Sequence, residues 1–255
     1  MNSLFRLVVR NFRASLHRGM LVFTFIFPLF FVYVMGFAFA GIVPPFDAGG
    51  KNLPYTVFLA AGAAIFTVIN TGFSVAGTLF WMDRKLGMFE QLLVGPFTRA
   101  QYIAGILVSS VLTVFVSATL VLVLSTPVLL QSEFRITPIG VVYMVFALLV
   151  GSIFFGALNI AISTKVRSHE AFNLISPFLF LVFLFPSSFF YPAERAPVEL
   201  QIILFLNPLT YTTDIFRAGL LSLSSAILPF EALALVAESI GMFALALFLF
   251  RKIRL

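Results

Sequence analysis

Long apolar runs alternate with short charged segments along this chain. Met20 to Val43, Leu53 to Met82, Ala100 to Ser132, Ile136 to Thr164 and Ala171 to Tyr191 carry no formal charge, and Leu228 to Phe250 carries only Glu231 and Glu238. A helix needs roughly 20 such residues to cross the hydrocarbon core of a bilayer, so the pattern predicts six transmembrane helices. The first contains Pro28 and is closed by Pro44-Pro45; Pro177 and Pro186 should bend the fifth. The connection Phe46 to Asn52 reads as a short loop with Asp47 balanced against Lys51. The second run exceeds what the core requires, so its helix should tilt or continue past the membrane surface. Its middle carries Asn70, Thr71, Gly72 and Ser74, which suit either close helix packing or contact with a transported molecule.

Two segments depart from the pattern. In residues 1–19, Arg6, Arg10, Arg13, His17 and Arg18 interleave with Phe5, Val8, Val9, Phe12 and Leu16. Wound at 3.6 residues per turn, the two sets fall on different faces. This predicts an amphipathic helix in the headgroup layer, its basic face toward anionic lipid or an acidic partner. A signal-peptide start fits less well, because the following apolar run is too long and lacks a small-residue cleavage site. Between Tyr191 and Leu228 the apolar runs are too short to cross a bilayer and are broken at Asn207-Pro208. A re-entrant helical hairpin over 197–221 or a surface loop would satisfy this, with Asp214 and Arg217 spaced to pair on one helix.

Composition fixes the class. With 61% hydrophobic residues, 10% charged residues and a mean hydropathy of +1.09, the chain reads as an all-α integral membrane protein. It has no cysteine, hence no disulfide or thiolate metal site, and His17 and His169 lie far apart in charged connections. The net charge of +6 reports orientation rather than nucleic-acid binding. The amino-terminal segment, Asp83 to Arg99, the connection after the fourth run and the carboxyl tail hold twelve Lys and Arg; Lys51, Arg135, Arg195 and Arg217 lie on the opposite side. The positive-inside rule therefore puts the twelve, and both termini, in the cytoplasm.

The polar stretch Asp83 to Arg99 is then a cytoplasmic island. A helix over 83–94, ended by Gly95-Pro96, would set Leu86, Phe89 and Leu93 on one face, able to seat in a partner's groove, with Arg84, Lys85 and Glu90 fixing the register. No phosphate-cradling P-loop is present: Gly49-Gly50-Lys51 is followed by Asn52 and lacks the first glycine, so energy from ATP would have to come from a partner. Glu238 lies about 18 Å before Arg251 at ~1.5 Å per residue, which places it near mid-membrane and in a functional position unless the helix sits higher. Asn70, Ser74 and Glu238 are the candidate pathway residues. The abundance of phenylalanine, 34 residues, would suit an acyl chain or flat hydrophobe between two copies.

Two motifs carry a family resemblance. Arg84-Lys85-Leu86-Gly87-Met88-Phe89-Glu90-Gln91-Leu92-Leu93-Val94-Gly95-Pro96-Phe97-Thr98-Arg99 resembles the charged Gly-x-x-Glu-x-Leu-x-x-x-Pro signature of ABC-2-type permeases, the membrane subunits of ATP-binding-cassette exporters. Asn207-Pro208-Leu209-Thr210-Tyr211, with Asp214 and Arg217, is similar to that family's motif before its last helix. The resemblance implies a six-helix permease domain over 20–255 behind the interface helix. It makes Arg84, Lys85, Leu86, Gly87, Phe89, Glu90, Leu93, Pro96 and Arg99 the contact with a separate ATPase. Two permease copies and two ATPase subunits would assemble in a prokaryotic cytoplasmic membrane, ATP and Mg being bound by the partner and no cofactor by this chain. The signature is closer to the drug, lipid and lipo-oligosaccharide branch than to polysaccharide or glycolipid exporters. An ion-coupled secondary transporter would carry several membrane carboxylates and paired halves, and a membrane enzyme would carry a catalytic cluster; the sequence offers neither pattern.

Overall fold

The computed structural model describes residues 3–15, 18–88, 98–132, 136–166, 168–223 and 227–252. Helix α1 (Ser3–Ser15) precedes α2 (Arg18–Phe30), which runs through a π-helical turn (Phe31–Met35) into α3 (Gly36–Ala40). Pro28 lies in α2, where it removes one ladder donor just before the helix widens into the π turn. The expected loop after it is a β-hairpin, β1 (Phe46–Ala48) paired antiparallel with β2 (Lys51–Leu53). Its two-residue turn places Gly49 at φ 59° and Gly50 at φ 81°, the double left-handed geometry of a type I′ hairpin, so the described fold is mostly rather than wholly helical.

Helix α4 (Tyr55–Thr71), a second π turn (Gly72–Ala76) and α5 (Gly77–Lys85) form one 31-residue rod. It is the axis of the molecule, its apolar window fully enclosed by other elements. Around it stand α6 (Arg99–Leu129), α7 (Pro138–Lys165), α8 (His169–Leu184), the helical pair α9 (Val198–Phe205) and α10 (Pro208–Leu221), and α11 (Leu228–Arg251) at the periphery. Starts are set by local chemistry. Thr98 and Gln101 form a reciprocal capping box on α6, and Thr137 and Ser168 accept from the amides of Gly140 and Ala171 on α7 and α8.

Four helices among the described residues are long and apolar enough to cross a membrane: Tyr55–Lys85, Arg99–Leu129, Pro138–Lys165 and Leu228–Arg251. Thr24–Ala40 and Glu170–Leu184 are shorter apolar helices. The fifth predicted run therefore extends past its helix. Pro186 has no amide to continue the ladder, so α8 closes at Leu184, Phe185 caps it by donating to the Leu181 carbonyl, and the chain turns from Pro186 onward.

The core follows the rod. Phe66, Ile65, Ile69 and Val68 on one stretch, with Phe155, Phe189, Leu209 and Phe216 from its neighbours, form the larger cluster, and Phe80, Tyr102, Ile106 and Phe250 a second toward the other end. Phe31 adds edge contacts to Phe189 and Phe190, tying the first π turn to the turn that follows α8. Helices α7 and α10 touch at Gly140 and Gly219, whose backbones approach so closely that a methyl on either would meet the other's carbonyl oxygen. At the second π turn Asn159 of α7 donates from Nδ2 to the Phe73 carbonyl at 2.5 Å and accepts from the Ser176 hydroxyl at 3.2 Å, joining the rod, α7 and α8 through one buried amide.

Candidate functional sites at the two ends of the bundle

At one end the basic segments converge. Asp83, buried in the last turn of α5, accepts from Arg10 Nη2 at 2.5 Å and from the Tyr102 hydroxyl at 2.9 Å. Arg84 Nη1 donates to the carbonyls of Ser163, Thr164 and Val166 at 3.1, 3.3 and 3.3 Å, where α7 runs out. Arg99 Nη1 reaches the carbonyls of Phe250 and Arg251 at 2.8 and 2.9 Å, where α11 ends. Terminal helix carbonyls have no intrahelical donor and carry the negative end of the dipole, so cations at these positions satisfy both needs. The stretch between residues 83 and 99 is thus held at both edges, to α1 and α6 through Asp83, to α7 through Arg84 and to α11 through Arg99.

The expected helix over 83–94 does not begin at Asp83. Asp83, Arg84 and Lys85 complete the rod, and the chain turns at Leu86-Gly87, with Gly87 at φ 67°. Lys85 lies over the Trp81 ring at 5.1 Å, while Leu86 and Met88 are exposed. Phe89, Glu90, Leu93 and Pro96 lie outside the described residues.

Helix α1 packs along α6 through Leu7, Val8, Asn11 and Ser15, and Ser15 Oγ lies 2.8 Å from Thr113 Oγ1. This stripe is rotated from the predicted apolar face. At about 100° per residue, Phe5, Val9 and Phe12 form a neighbouring sector, and Arg6, Arg10 and Arg13 the next. Phe5 is 55% exposed, and Arg6 and Arg13 are exposed beside it, whereas Arg10 turns back to Asp83. The helix therefore has three faces: one for the bundle, one apolar and outward, one basic.

At the opposite end the segment from α8 to α10 is knotted by polar side chains. Asn207 caps α10 by accepting from the Leu209 amide at 2.9 Å and donates to the carbonyls of Phe183 and Pro186 at 2.7 and 2.6 Å. Pro208 occupies the first turn of α10, and the Tyr211 hydroxyl donates to the Phe205 carbonyl. Arg217 is fully buried. Its Nε donates to the Phe58 carbonyl at 3.2 Å, Nη1 to Ser188 at 2.5 Å and Nη2 to Phe189 at 2.7 Å, and the guanidinium lies 3.5 Å from the Phe58 ring centroid. Asp214 sits 3.8 Å from Arg217, the pairing read from their spacing, and accepts from the Ser188 hydroxyl at 2.7 Å. The hairpin lysine, Lys51, donates to the Leu221 carbonyl at 2.6 Å and closes the far end of α10.

The three pathway candidates separate. Asn70 and Ser74 share a wall of one cavity of about 410 Å³ with Phe73, Phe172 and Phe180, and Asn70 Nδ2 donates to Thr24 Oγ1 at 3.1 Å. Glu238 lies on α11, away from them, its Oε2 buried without a hydrogen-bond partner among the described residues. The sequence does not single out Asn159 and Tyr102, and it gives Lys51 only as the counter-charge of Asp47. Asn159 alone offered a signal, as an amide inside an uncharged apolar run.

Comparison with known proteins places this arrangement. The ABC-2 type transporter family profile matches residues 2–221, which includes the 83–99 stretch and the Asn207-to-Arg217 segment and stops short of α11. The transport permease ycf38 of Porphyra purpurea is 29% identical over 203 residues, covering 74% of this chain and 64% of that protein. Its namesake from Pyropia yezoensis is 29% identical over 189 residues, covering 73% and 62% respectively. The chain thus spans just under two thirds of the length of these relatives. With a profile match over most of its length, the chain belongs to the ABC-2 type transporter family.

Proposed function

We propose that this chain is the permease subunit of an ATP-driven exporter. Two copies would assemble with two separate ATPase subunits that bind ATP and Mg, moving a hydrophobic or amphipathic molecule such as a lipid, lipo-oligosaccharide or drug out of the cytoplasm or inner leaflet. In this reading Thr24–Ala40 and Glu170–Leu184 belong to the first and fifth of six spans, α9 and α10 form the re-entrant hairpin, and the basic end faces the cytoplasm.

The observation that carries it is the clamping of Asp83, Arg84 and Arg99 to four helices at one end of the bundle. A load applied between those residues would reach α1, α6, α7 and α11 together, and the rod would carry it to the opposite end. The exposed Leu86 and Met88 beside the clamp offer apolar contact to a partner. The outward Phe5, Val9 and Phe12 sector and basic face of α1 suit a membrane interface.

The test is co-purification with the cognate P-loop ATPase, followed by transport and ATP hydrolysis in proteoliposomes. Glu90→Lys is expected to leave the permease folded and assembled yet abolish transport while hydrolysis continues. Wild-type transport by that variant would refute the coupling role.

A further inference from the structure

A second cavity, about 410 Å³, opens at the hairpin end of the bundle between the β1–β2 turn, the 192–195 segment, α10 and the start of α11. Asp47, Glu194, Asp214 and Glu231 line it, against Arg195 and Arg217. The two guanidinium groups are committed elsewhere: Arg217 to three carbonyls and the Phe58 ring, Arg195 over the Phe46 ring at 4.9 Å. Only Asp214 has a cation within salt-bridge range among the described residues of this wall. The wall thus gathers four carboxyl groups against two arginines whose donors are already engaged.

Glu231 is the decisive group. It is 1% exposed, it lines the cavity, and neither carboxylate oxygen has a hydrogen-bond partner among the described residues. It lies in the first turn of α11, where it shares the cavity wall with Asp214 and Glu194. A buried carboxylate without donors is costly, and a cationic ligand bearing N–H groups would remove the cost. The described residues include no group of three or more His, Cys, Asp or Glu able to hold a metal ion, and Leu223, Ile227 and Leu228 supply apolar wall. We infer that this cavity binds a primary ammonium group carried on a short apolar chain. A quaternary ammonium would bring charge but no donors. The inference concerns a site on the permease alone and holds whatever the ATPase drives.

The experiment is isothermal titration of the full-length permease in phosphatidylcholine nanodiscs with hexylamine, and with hexanol and tetramethylammonium as matched controls. Saturable binding of hexylamine alone is expected, weakened about tenfold or more in Glu231→Gln. Asp214→Asn and Glu194→Gln serve as independent variants if Glu231→Gln fails to fold, and either should also weaken binding. Repeating the titration with phosphatidylethanolamine in the disc separates the sources. Weaker apparent hexylamine affinity there identifies a lipid headgroup as the occupant; unchanged affinity identifies a free amine. Equal binding of hexanol, no saturable binding of hexylamine, or undiminished binding in every folded variant would overturn the inference.

Discussion

Replacing Arg217 by leucine removes the donor of three buried carbonyls at once. Leucine fills much of the space but strands the Ser188 and Phe189 oxygens, while the Phe58 carbonyl loses the guanidinium and keeps its bond in the α4 ladder. Each stranded acceptor costs about 1–3 kcal/mol. Part is offset, because a buried cation whose nearest carboxylate is 3.8 Å away was itself expensive to desolvate. A net loss of about 3 kcal/mol follows, large against the ~5–15 kcal/mol that holds a folded domain together. Arg217→Lys keeps the charge but presents one compact ammonium to three acceptors spread around a planar fork, so it should recover about half. For a chain of this size 1 kcal/mol moves the melting temperature by about 2–4 °C, giving a drop of roughly 6–12 °C for leucine and about half that for lysine. The assay is thermal unfolding of the detergent-purified chain, followed through the fluorescence of Trp81, its single tryptophan. A leucine variant melting within about 2 °C of wild type would refute the hub role. A lysine variant equal to wild type would show that charge, not the three-way fork, is what matters.

Two further sets of substitutions test the packing and the clamp. Gly140→Ala or Gly219→Ala drives a methyl into an opposing backbone carbonyl and should cost about 1–3 kcal/mol, whereas Gly241→Ala on α11 meets nothing within 4 Å and should gain up to about 1 kcal/mol of helix propensity; equal melting temperatures for the three would contradict the close crossing. Asp83→Asn should cost only about 1 kcal/mol, because Arg10 is about one third exposed, and adding Arg10→Gln should cost little more; full additivity in that cycle, read by chemical denaturation, would show the pair to be uncoupled.

The apolar runs located most helices well because a membrane helix is written as an unbroken stretch of sequence. The rod appeared as a run longer than a bilayer needs, and its excess is the turn that presents Asp83. Pro186 was visible, yet reading it as a bend underestimated it: with Asn207 waiting to take the Phe183 and Pro186 carbonyls, ending α8 there is cheaper than continuing. The Gly49-Gly50 pair between Phe46-Asp47-Ala48 and Lys51-Asn52-Leu53 carried a hairpin signal that charge balance obscured. The bundle-facing stripe of α1 was not legible because hydrophobicity marks what avoids water and does not separate protein from lipid; Asn11 and Ser15 are polar and buried, Phe5 apolar and outward. Asp214 with Arg217 was legible from helical spacing. The carbonyls that engage Arg217 were not, since every residue has one and only the fold selects which go unpartnered.

The second π turn bears on how the two ends stay in phase. In an α-helix each added residue rotates everything beyond it by about 100°, so a rod with one residue too many would turn Asp83 away from Tyr102 while Phe58 stayed under Arg217. A π turn absorbs one residue with little change in the facing of the flanking helices. Gly72–Ala76 is therefore a slack link, the place where this axis can lose a residue by reverting to regular helix and still present the same face to both ends.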